Sequence, residues 1–499
     1  MVLELMSDSY TLFIRRIGLV GIAQTIVSLK GLILLPILAK TLGASDYGIW
    51  AFVLVTVSLS SPLTLLGLDN ANLRFLASKQ KQQIFQGVIT GAIFVLFSSI
   101  IVSFLLFFFS DFIAVTLLKD ISAAYSIKLT SIYIILNSLN TIVLCSFRVF
   151  GLIKSYSAII IFKTYLEISI IIVFILWGFG ISGAVLALII SSIVSLVIML
   201  LRIISYAGFT KPDFSLLKPY LQFGVPLLPI SLSQFVIESS DRYVVGFFLG
   251  AEKIGIYSAA YGIGVIPLMF STYFVFILGP TVYDLYDKGN VNKVKIYLSY
   301  SWKYLLMVTI PSAFGLFILA KSLLSHLTTS IFISEGQYIV PLVAIGIVFW
   351  GMEQIFGVSL WIFKRTKIFI IAFVVSCVSN LVLNIIFVPH YGIIATAITT
   401  LIAYIILASI VGYASRKYIT FNLNLWFIVK SLIASIIMTF CIWIFNPIDI
   451  IGIIASIFIG IIIYFSLLFL QKGFIKGELR IIFEAVGLKK INKIFGKNR

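Results

Sequence analysis

The sequence has few charged residues, few cysteines and few histidines. Only 11% of its 499 residues are charged, whereas 61% are hydrophobic. A soluble globular chain carries about a quarter charged residues, so this shortfall excludes that class and indicates a polytopic membrane protein. The cysteines Cys145, Cys377 and Cys441 lie far apart in apolar segments, which argues against a disulfide framework. His326 and His390 form no pair, so we predict no metal site and no cofactor.

Two further absences narrow the function. No GxxxxGK[ST] phosphate-binding loop occurs, so any transport must draw on an ion gradient, the membrane potential or depletion of the substrate. The first apolar segment is too long for a signal peptide, and no small-residue cleavage site follows it. We therefore expect that segment to be retained as a helix.

Apolar segments long enough to cross a bilayer recur throughout the chain. A crossing helix needs about 20 apolar residues. On this rule the sequence predicts an all-α protein of about fourteen membrane helices. The segments begin near Leu12, Gly48, Gln86, Leu129, Ala158, Gly183, Pro219, Gly255, Leu298, Tyr338, Ile368, Gly392, Leu425 and Ile450. After Gln471 the chain carries eight Lys or Arg against two Glu, and we expect this amphipathic tail to lie on the membrane surface.

Basic residues alternate along the chain as this topology requires. If the N-terminus lies in the cytoplasm, 27 of the 36 basic residues fall on inner connections and inner helix ends. Because basic residues in short loops stay in the cytoplasm, the bias favours fourteen helices with both termini inside. The net charge of +18 then reflects topology and attraction to anionic lipid, and no nucleic-acid partner is predicted.

A repeat divides the chain into two related halves. Residues 42–50 read LGASDYGIW and residues 249–257 read LGAEKIGIY, with five identities in nine positions. A weaker match pairs residues 180–184 with residues 392–396. The copies are six segments apart and share one orientation, which predicts two six-helix lobes related by an axis along the membrane normal. The expected units are 1–210 (segments 1–6), 211–418 (segments 7–12), 419–471 (segments 13 and 14) and the basic cytoplasmic tail 472–499.

Four stretches together resemble the O-antigen type of polysaccharide flippase, in the superfamily that includes the multidrug and toxin extruders. They are LPILAKTLGASDYGIW (35–50), LGLDNANLRFLAS (66–78), FGVPLLPISLSQFVIESSDRYVVGFFLGAEKIGIYSAAY (223–261) and LVLNIIFVPHYGIIATAI (381–398). The resemblance implies two lobes around a central cavity, as in the lipid II flippases. It also implies movement of an undecaprenyl-diphosphate-linked oligosaccharide from the cytoplasmic to the periplasmic leaflet of a bacterial inner membrane, for O-antigen, capsule or other surface polysaccharide, without enzymatic chemistry.

Three alternatives remain open. A multidrug extruder of the same fold pumps organic cations and is expected to have an acidic cavity. A polysaccharide polymerase is expected to have a long periplasmic loop with basic catalytic residues, and no such loop is evident. A partner role in a complex with a glycan polymerase or ligase is compatible with transport.

Cations inside predicted helices are the first candidates for a substrate site. A charge at the bilayer centre costs about 2.5–3.5 kcal/mol on insertion scales, so such residues usually face a cavity. Lys30 lies in segment 1 and Arg242 in segment 7, which the repeat makes equivalent. Together they predict a cationic site for a diphosphate. Arg15 and Arg16 are expected to receive the head group first, or to act only as positive-inside anchors.

Acidic residues inside the helices predict ion pairs or ion coupling. Glu238 and Arg242, like Lys163 and Glu167, are spaced four apart on a helix face, which favours internal ion pairs. Further candidates for ion coupling or cavity lining are Asp241, the unpaired Glu353, and Asp69 at the end of segment 2.

Polar residues and prolines complete the candidate site. Gln24, Asn137, Asn140 and Gln234 are expected either to bind sugars or to hold helices together, and Asn380 and Asn384 present the same alternatives. Pro226 and Pro229 are expected to bend segment 7 and to make it a gate element.

Overall fold

The computed structural model describes residues 2–77, 79–447 and 449–474, with their side chains except those of residues 2–20, 22, 270–277 and 280. Over this range the chain is helical, and no strand occurs in it. The prediction of an all-α polytopic membrane protein is confirmed. The predicted amphipathic tail, 472–499, lies almost entirely outside the described residues.

Seventeen α-helices follow one another in the described range. They are α1 (Val2–Leu65), α2 (Leu68–Leu76), α3 (Lys81–Phe108), α4 (Ser110–Ile113), α5 (Ala123–Val149), α6 (Ile153–Leu176), α7 (Gly180–Ala207), α8 (Leu217–Gly224), α9 (Leu228–Ser239), α10 (Asp241–Leu249), α11 (Ala251–Gly264), α12 (Leu268–Asp287), α13 (Val291–Leu327), α14 (Ser330–Ile362), α15 (Thr366–Arg416), α16 (Leu425–Phe445) and α17 (Ile450–Leu470).

The described residues contain eleven stretches long and apolar enough to cross a membrane, but two of them are long enough to cross twice. These are the 43 residues from Ala23 to Leu65 and the 51 residues of α15. At ~1.5 Å per residue, 51 helical residues would extend about 75 Å, far beyond the ~30 Å of bilayer hydrocarbon. Each stretch is interrupted by one glycine outside the helical region, Gly43 (φ 81°, ψ −176°) and Gly392 (φ 67°, ψ −156°).

Hydrogen bonds between the two arms of α15 show that the chain reverses at Gly392. Thr399 Oγ1 donates to Asn384 Oδ1 at 2.6 Å, and Asn380 Nδ2 donates to Thr400 Oγ1 at 3.4 Å. Counting α1 and α15 as two crossings each adds two to the eleven stretches. The consecutive pair α11 and α12 adds one more, which gives the fourteen predicted segments.

The glycines of the sequence repeat have matching backbone conformations. Gly250 (φ 85°, ψ −179°) lies 207 residues after Gly43 and has the same φ and ψ to within a few degrees. Gly180 has φ 60° and its counterpart Gly392 has φ 67°. Glycine adopts this left-handed region without steric cost, whereas other residues are strained there. The repeat therefore marks equivalent turns in the two halves.

Packing follows the rule for membrane helices, in which small and polar residues face protein and bulky apolar residues face outward. In α3, Phe97, Ile101, Phe104 and Phe108 are each more than 60% exposed. On the opposite face, small and polar residues of the same helix are buried. The hydrophobic effect cannot separate these faces inside a bilayer, so close backbone packing decides which side is buried.

Helices of each half pack mainly on one another. In the first half α5 packs on α3 and α7, and α6 packs on α1 and α7. In the second half α14 packs on α11, α13 and α15, while α16 packs on α13 and α17. The largest buried core contains side chains from both halves. The site residues described below lie within or beside this core.

Candidate functional site

Three charged residues form a cluster in the first half of the chain, called here the N-terminal charge cluster. Lys30 of α1 makes an ion pair with the Oε2 atom of Glu167 in α6. Lys163 Nζ, one turn before Glu167, lies 3.8 Å from the Oε1 atom of the same carboxylate. The Lys30 and Lys163 side chains are about one-fifth exposed, and Glu167 is 6% exposed.

Glu167 thus lies between two ammonium groups and balances only one of them. The formal charges of the cluster therefore sum to +1. The predicted pair between Lys163 and Glu167 is present, but Lys30 approaches the carboxylate more closely than Lys163 does. Because both lysines remain partly exposed, an incoming anion can compete with Glu167 for them.

A second cluster surrounds Arg242 in the other half and is called here the C-terminal charge cluster. Arg242 Nη1 donates to Asp241 Oδ1 at 2.7 Å and to the backbone oxygen of Glu238 at 2.8 Å. The side chains of Asp241 and Arg242 are 0% and 8% exposed. The ion pair predicted between Glu238 and Arg242 is replaced by this pair with the adjacent Asp241, because the guanidinium reaches only the backbone of Glu238.

Tyrosine rings enclose this ion pair. The guanidinium carbon of Arg242 lies 4.0 Å from the ring centroid of Tyr261 and 5.0 Å from that of Tyr257. The Tyr257 hydroxyl donates to Asp241 Oδ2. The Tyr261 and Tyr404 hydroxyls are 3.4 Å apart. Two cation–π contacts and three donated hydrogen bonds make Asp241 and Arg242 part of the folded core.

Two further carboxyl groups belong to the C-terminal charge cluster. Glu238 Oε1 accepts a hydrogen bond from Gln234 Nε2 at 2.9 Å. Glu353 of α14 is 2% exposed, and its Oε1 atom has no hydrogen-bond partner among the described residues. Glu353 and Glu238 are close enough for their charges to interact. Three carboxyl groups therefore accompany one guanidinium, the opposite balance to that of the N-terminal charge cluster.

Lys30 and Arg242 have no common partner among the described residues. Each is paired within its own half, Lys30 with Glu167 and Arg242 with Asp241. The sequence pattern predicted one cation in each of two equivalent segments, although the two positions are not in register. In the structure the Lys30 side chain is partly exposed, whereas the Arg242 side chain is buried.

The helix that carries Arg242 is interrupted where the sequence predicted a bend. Residues 225–227 form a 3-10 turn between α8 and α9; Pro226 lies within this turn and Pro229 lies at the start of α9. Proline removes a backbone donor and clashes with the preceding turn, which explains the break. As a result α8 packs on α2 of the first half, whereas α9 and α10 pack on α15 of the second.

Two glycines bring α8 and α2 into backbone contact, called here the Gly67 contact. A Cβ atom on Gly67 would lie 2.6 Å from the Cα of Gly224, and one on Gly224 would lie 2.4 Å from the backbone oxygen of Leu66. Next to it, the guanidinium carbon of Arg74 lies 4.6 Å from the Phe223 ring centroid. These contacts join α2 of the first half to α8 of the second half.

A second glycine contact joins the halves at the repeat and is called here the Gly48 contact. A Cβ atom on Gly48 would lie 1.8 Å from the backbone oxygen of Ala251, and one on Gly255 would lie 2.0 Å from that of Ala44. Positions 44 and 48 correspond to 251 and 255 in the repeat, so the contact has two-fold pseudosymmetry. The halves therefore meet at both glycine contacts.

Several predicted site residues serve to hold helices together. Asn140 Nδ2 donates to the backbone oxygens of Leu136 and Ser192, and its Oδ1 accepts from Ser195 at 2.6 Å. Asn380 and Asn384 make the contacts inside α15 described above. A sugar-binding role for Asn140 is thus not supported, because its amide is buried and already bonded.

The other predicted residues lie as follows. Gln24 and Asn137 are partly buried, and Asn137 Oδ1 accepts from the Tyr133 hydroxyl at 3.5 Å. Asp69 lies in the first turn of α2, and its carboxylate accepts from Asn70 at 3.4 Å. The side chains of Arg15 and Arg16 lie outside the described residues.

The sequence patterns did not reveal the tyrosines around Arg242. Tyr257 is the last residue of the second repeat copy and Tyr261 comes four residues later, so the two share a helix face. The spacing of Tyr257 and Tyr261 could have identified this pair from the sequence. Tyr404 lies on a distant helix, and only the fold brings it next to Tyr261.

Comparisons with known proteins agree with this architecture. The family described as "Polysaccharide biosynthesis protein" matches residues 13–285, more than half of the chain. The probable low-salt glycan biosynthesis flippase Agl15 of Haloferax volcanii is 21% identical over 266 residues. The alignment covers 52% of this chain and 56% of Agl15, so the chain matches about half the length of that relative.

Two solved structures share the fold. The lipid II flippase MurJ in an inward closed conformation superposes with a TM-score of 0.72 at 21% identity, covering 89% of this chain and 97% of MurJ. An inward-facing multidrug resistance transporter of the MATE family superposes with a TM-score of 0.64 at 17% identity, covering 79% and 94%. The relatives are flippases and a transporter, in agreement with the prediction that the chain is not an enzyme. By its family match, the chain belongs to the polysaccharide biosynthesis protein family.

Proposed function

We propose that this protein is a flippase that moves an undecaprenyl-diphosphate-linked oligosaccharide from the cytoplasmic to the outer leaflet of a bacterial inner membrane. Its family, its similarity to a glycan biosynthesis flippase and its fold support a role in glycan assembly. Residues 1–210 and 211–418 act as two lobes that rock about the site in alternating access. The product enters O-antigen, capsule or other surface polysaccharide, alone or with a polymerase or ligase.

The observation that carries the proposal is the net positive charge of the N-terminal charge cluster. A diphosphate offers several anionic oxygens, and charge-assisted hydrogen bonds to them are about twice as strong as neutral ones. In the unloaded protein Glu167 bridges Lys30 and Lys163. When substrate binds, the diphosphate takes the place of Glu167 on the lysines, so the two partly exposed ammonium groups have an anionic partner in both states.

Other predicted residues have supporting roles in this proposal. Arg15 and Arg16 attract the head group at the cytoplasmic end, and Gln24 and Asn137 contact its sugars. Arg242 organises the second lobe through Asp241 and reaches the substrate only when the lobes rearrange. The Gly67 and Gly48 contacts close opposite ends of the cavity in turn, with the chain bending between α8 and α9, at Pro226 and Pro229.

Glu353 is the proposed carrier of a coupling proton. The Oε1 atom of Glu353 is buried and has no hydrogen-bond partner among the described residues, so an anion there costs free energy unless it takes up a proton or a cation. Movement of α14 during lobe rocking then exposes Glu353 to one side of the membrane at a time.

Vesicles that contain the purified protein and lipid-linked oligosaccharides of defined sugar composition test the substrate site. Lys30→Ala is expected to lower the transport rate at least tenfold, because one charge-assisted hydrogen bond contributes about 1.5–3 kcal/mol. Lys30→Arg should retain most transport. Lys128→Ala is the matched control, since Lys128 forms an exposed ion pair with Asp111 at 2.9 Å. Full transport by both Lys30→Ala and Arg242→Ala at normal protein levels would contradict the cationic site.

Multidrug extrusion is the second candidate, and the acidic balance of the C-terminal charge cluster favours it. An organic cation would bind there beside Glu238 and Glu353. The same vesicles loaded with a cationic dye separate the two functions. Dye transport that is lost in Glu238→Gln, without transport of any lipid-linked sugar, would replace the flippase proposal.

Glu353→Gln tests the coupling step. This variant keeps the shape of the side chain and removes the proton-binding group, so transport driven by a proton gradient should fall to the rate seen without a gradient. Basal exchange of substrate should remain. The measurement is the ratio of transport rates with and without the gradient, and an unchanged ratio in Glu353→Gln would exclude this residue as the carrier.

A further inference from the structure

A surface cavity of about 440 Å³ lies between α13 and the connection from α15 to α16. Its polar lining consists of Lys295, Ser299, Tyr300, Thr420, Asn422 and Asn424. This volume falls within the range of small-ligand sites, which is roughly 300–1,000 Å³. The cavity belongs to neither charge cluster.

The walls of the cavity are held together by hydrogen bonds. Ser299 Oγ donates to the backbone oxygen of Asn422 at 2.8 Å, and Trp302 Nε1 donates to that of Leu423 at 2.9 Å. The backbone N–H of Asn424 donates to Asn422 Oδ1 at 2.8 Å. The connection is therefore fixed against α13, and the cavity is a formed site that needs little ordering when a ligand binds.

The lining favours an anion. None of the lining residues is acidic, and Lys295 makes no ion pair within the described part of the chain. By contrast Lys288, seven residues earlier, is paired with Asp284 at 2.7 Å. The Tyr300 and Thr420 hydroxyls supply further donors. One free ammonium surrounded by hydroxyl and amide groups is a suitable lining for a phosphate.

Residues beside the cavity place it at the depth of lipid head groups. α16 begins at Leu425 and Trp426, which are 67% and 71% exposed, and Ile296 of the lining is 53% exposed. Exposed tryptophan at the start of a membrane helix is typical of the membrane–water interface. A phosphate bound to Lys295 thus has an apolar surface beside it, as the chains of a lipid require.

We propose that this cavity binds the phosphate head group of an anionic phospholipid, with the acyl chains lying along Leu425 and Trp426. Lys295 contacts the phosphate, and the hydroxyl and amide groups of the connection contact the glycerol part. The lipid then links α13 to the start of α16 and stabilises the attachment of the two C-terminal helices to the second half of the chain. This inference does not depend on the proposed function.

Native mass spectrometry of the purified full-length protein in detergent tests this site, with dioleoylphosphatidylglycerol and dioleoylphosphatidylcholine as probes. We expect retention of phosphatidylglycerol and a roughly fivefold weaker affinity in Lys295→Ala, the factor for about one basic contact at a membrane surface. Lys295→Arg should keep the affinity. Lys293→Ala is the matched control, because Lys293 is exposed on the same helix and does not line the cavity.

Three results would overturn the proposal. Equal losses in Lys293→Ala and Lys295→Ala would mean that surface charge alone attracts the lipid. Equal retention of phosphatidylcholine, which carries the same phosphate beside a choline cation, would exclude selection of an anionic lipid. Occupancy of the site by glycerol 3-phosphate at the same concentration, without lipid, would assign the cavity to a soluble phosphate. Size-exclusion chromatography of each variant confirms that it is folded, and Lys295→Gln replaces Lys295→Ala if that variant is not.

Discussion

The two charge clusters occupy related halves of one duplicated fold, yet they differ in charge and in burial. The N-terminal charge cluster has two lysines around one carboxylate, and both lysines are about one-fifth exposed. The C-terminal charge cluster has one guanidinium with three carboxyl groups, and its central ion pair is almost fully buried. Duplication has preserved the turns of the backbone, while the charged side chains have diverged.

This difference assigns separate tasks to the halves. A partly exposed cluster exchanges partners at low cost, because water replaces whatever contact is lost. A buried ion pair enclosed by tyrosines cannot lose a partner without leaving an uncompensated charge. We therefore expect changes in the first half to alter ligand binding and changes in the second to alter folding.

The largest expected effect is that of Asp241→Asn. The substitution keeps the size of the side chain but leaves Arg242 buried without a counter-charge, which typically costs about 3–5 kcal/mol. The yield of folded protein and its melting temperature in detergent should both fall sharply. Asp111→Asn, which breaks an exposed ion pair, is the control and should change stability by less than about 1 kcal/mol. A melting temperature unchanged by Asp241→Asn would contradict the conclusion that changes in the second half alter folding.

Gly48→Ala and Gly255→Ala should both weaken the Gly48 contact. We expect an effect of intermediate size that is equal in the two variants. Either Cβ atom would lie about 2 Å or less from a backbone oxygen, so the Gly48 contact cannot close. The measurement is crosslinking by a bifunctional thiol reagent between cysteines at Tyr47 and Phe332, whose ring centroids are 6.1 Å apart. Crosslinking should fall in both variants and persist in Gly31→Ala, where a Cβ meets nothing within 4 Å. Clearly unequal effects would contradict the pseudosymmetry.

The smallest effect on stability is expected for Glu167→Gln. Lys30 and Lys163 lose their shared carboxylate, but their exposure lets water compensate, so the loss should be about 1 kcal/mol. Affinity for a diphosphate should rise several-fold, because the competing carboxylate is gone. Calorimetric titration with farnesyl diphosphate measures this change. Unchanged or weaker binding would show that Glu167 does not compete with the ligand.

Fold class and helix positions were predictable because a bilayer imposes a length and a composition on every crossing helix. The repeat glycines were informative for a similar reason, since a left-handed turn excludes most other residues. The pairing of Lys163 with Glu167 followed from their spacing along one helix. These features depend on residues that are close in sequence.

Partners from distant helices were not predictable in this way. The contact of Lys30 with Glu167 joins residues 137 positions apart, and no local pattern indicates it. Arg242 pairs with Asp241 and not with Glu238 in a setting that includes the rings of Tyr257 and Tyr261, which come from the next helix. The cavity beside Lys295 is held by hydrogen bonds from side chains of α13 to backbone oxygens of the connection to α16, and no local pattern shows which distant backbone oxygen a side chain will meet.

The Gly48 contact also bears on how a duplicated chain can evolve. Position 44 of one copy meets position 48 of the other, and the reverse contact occurs as well, as in an isologous dimer interface. A half-length chain with a glycine at this position already has a self-complementary surface, and two copies in parallel orientation satisfy it. Fusion of two such copies needs no new interface, and leaves each half free to change its charges separately.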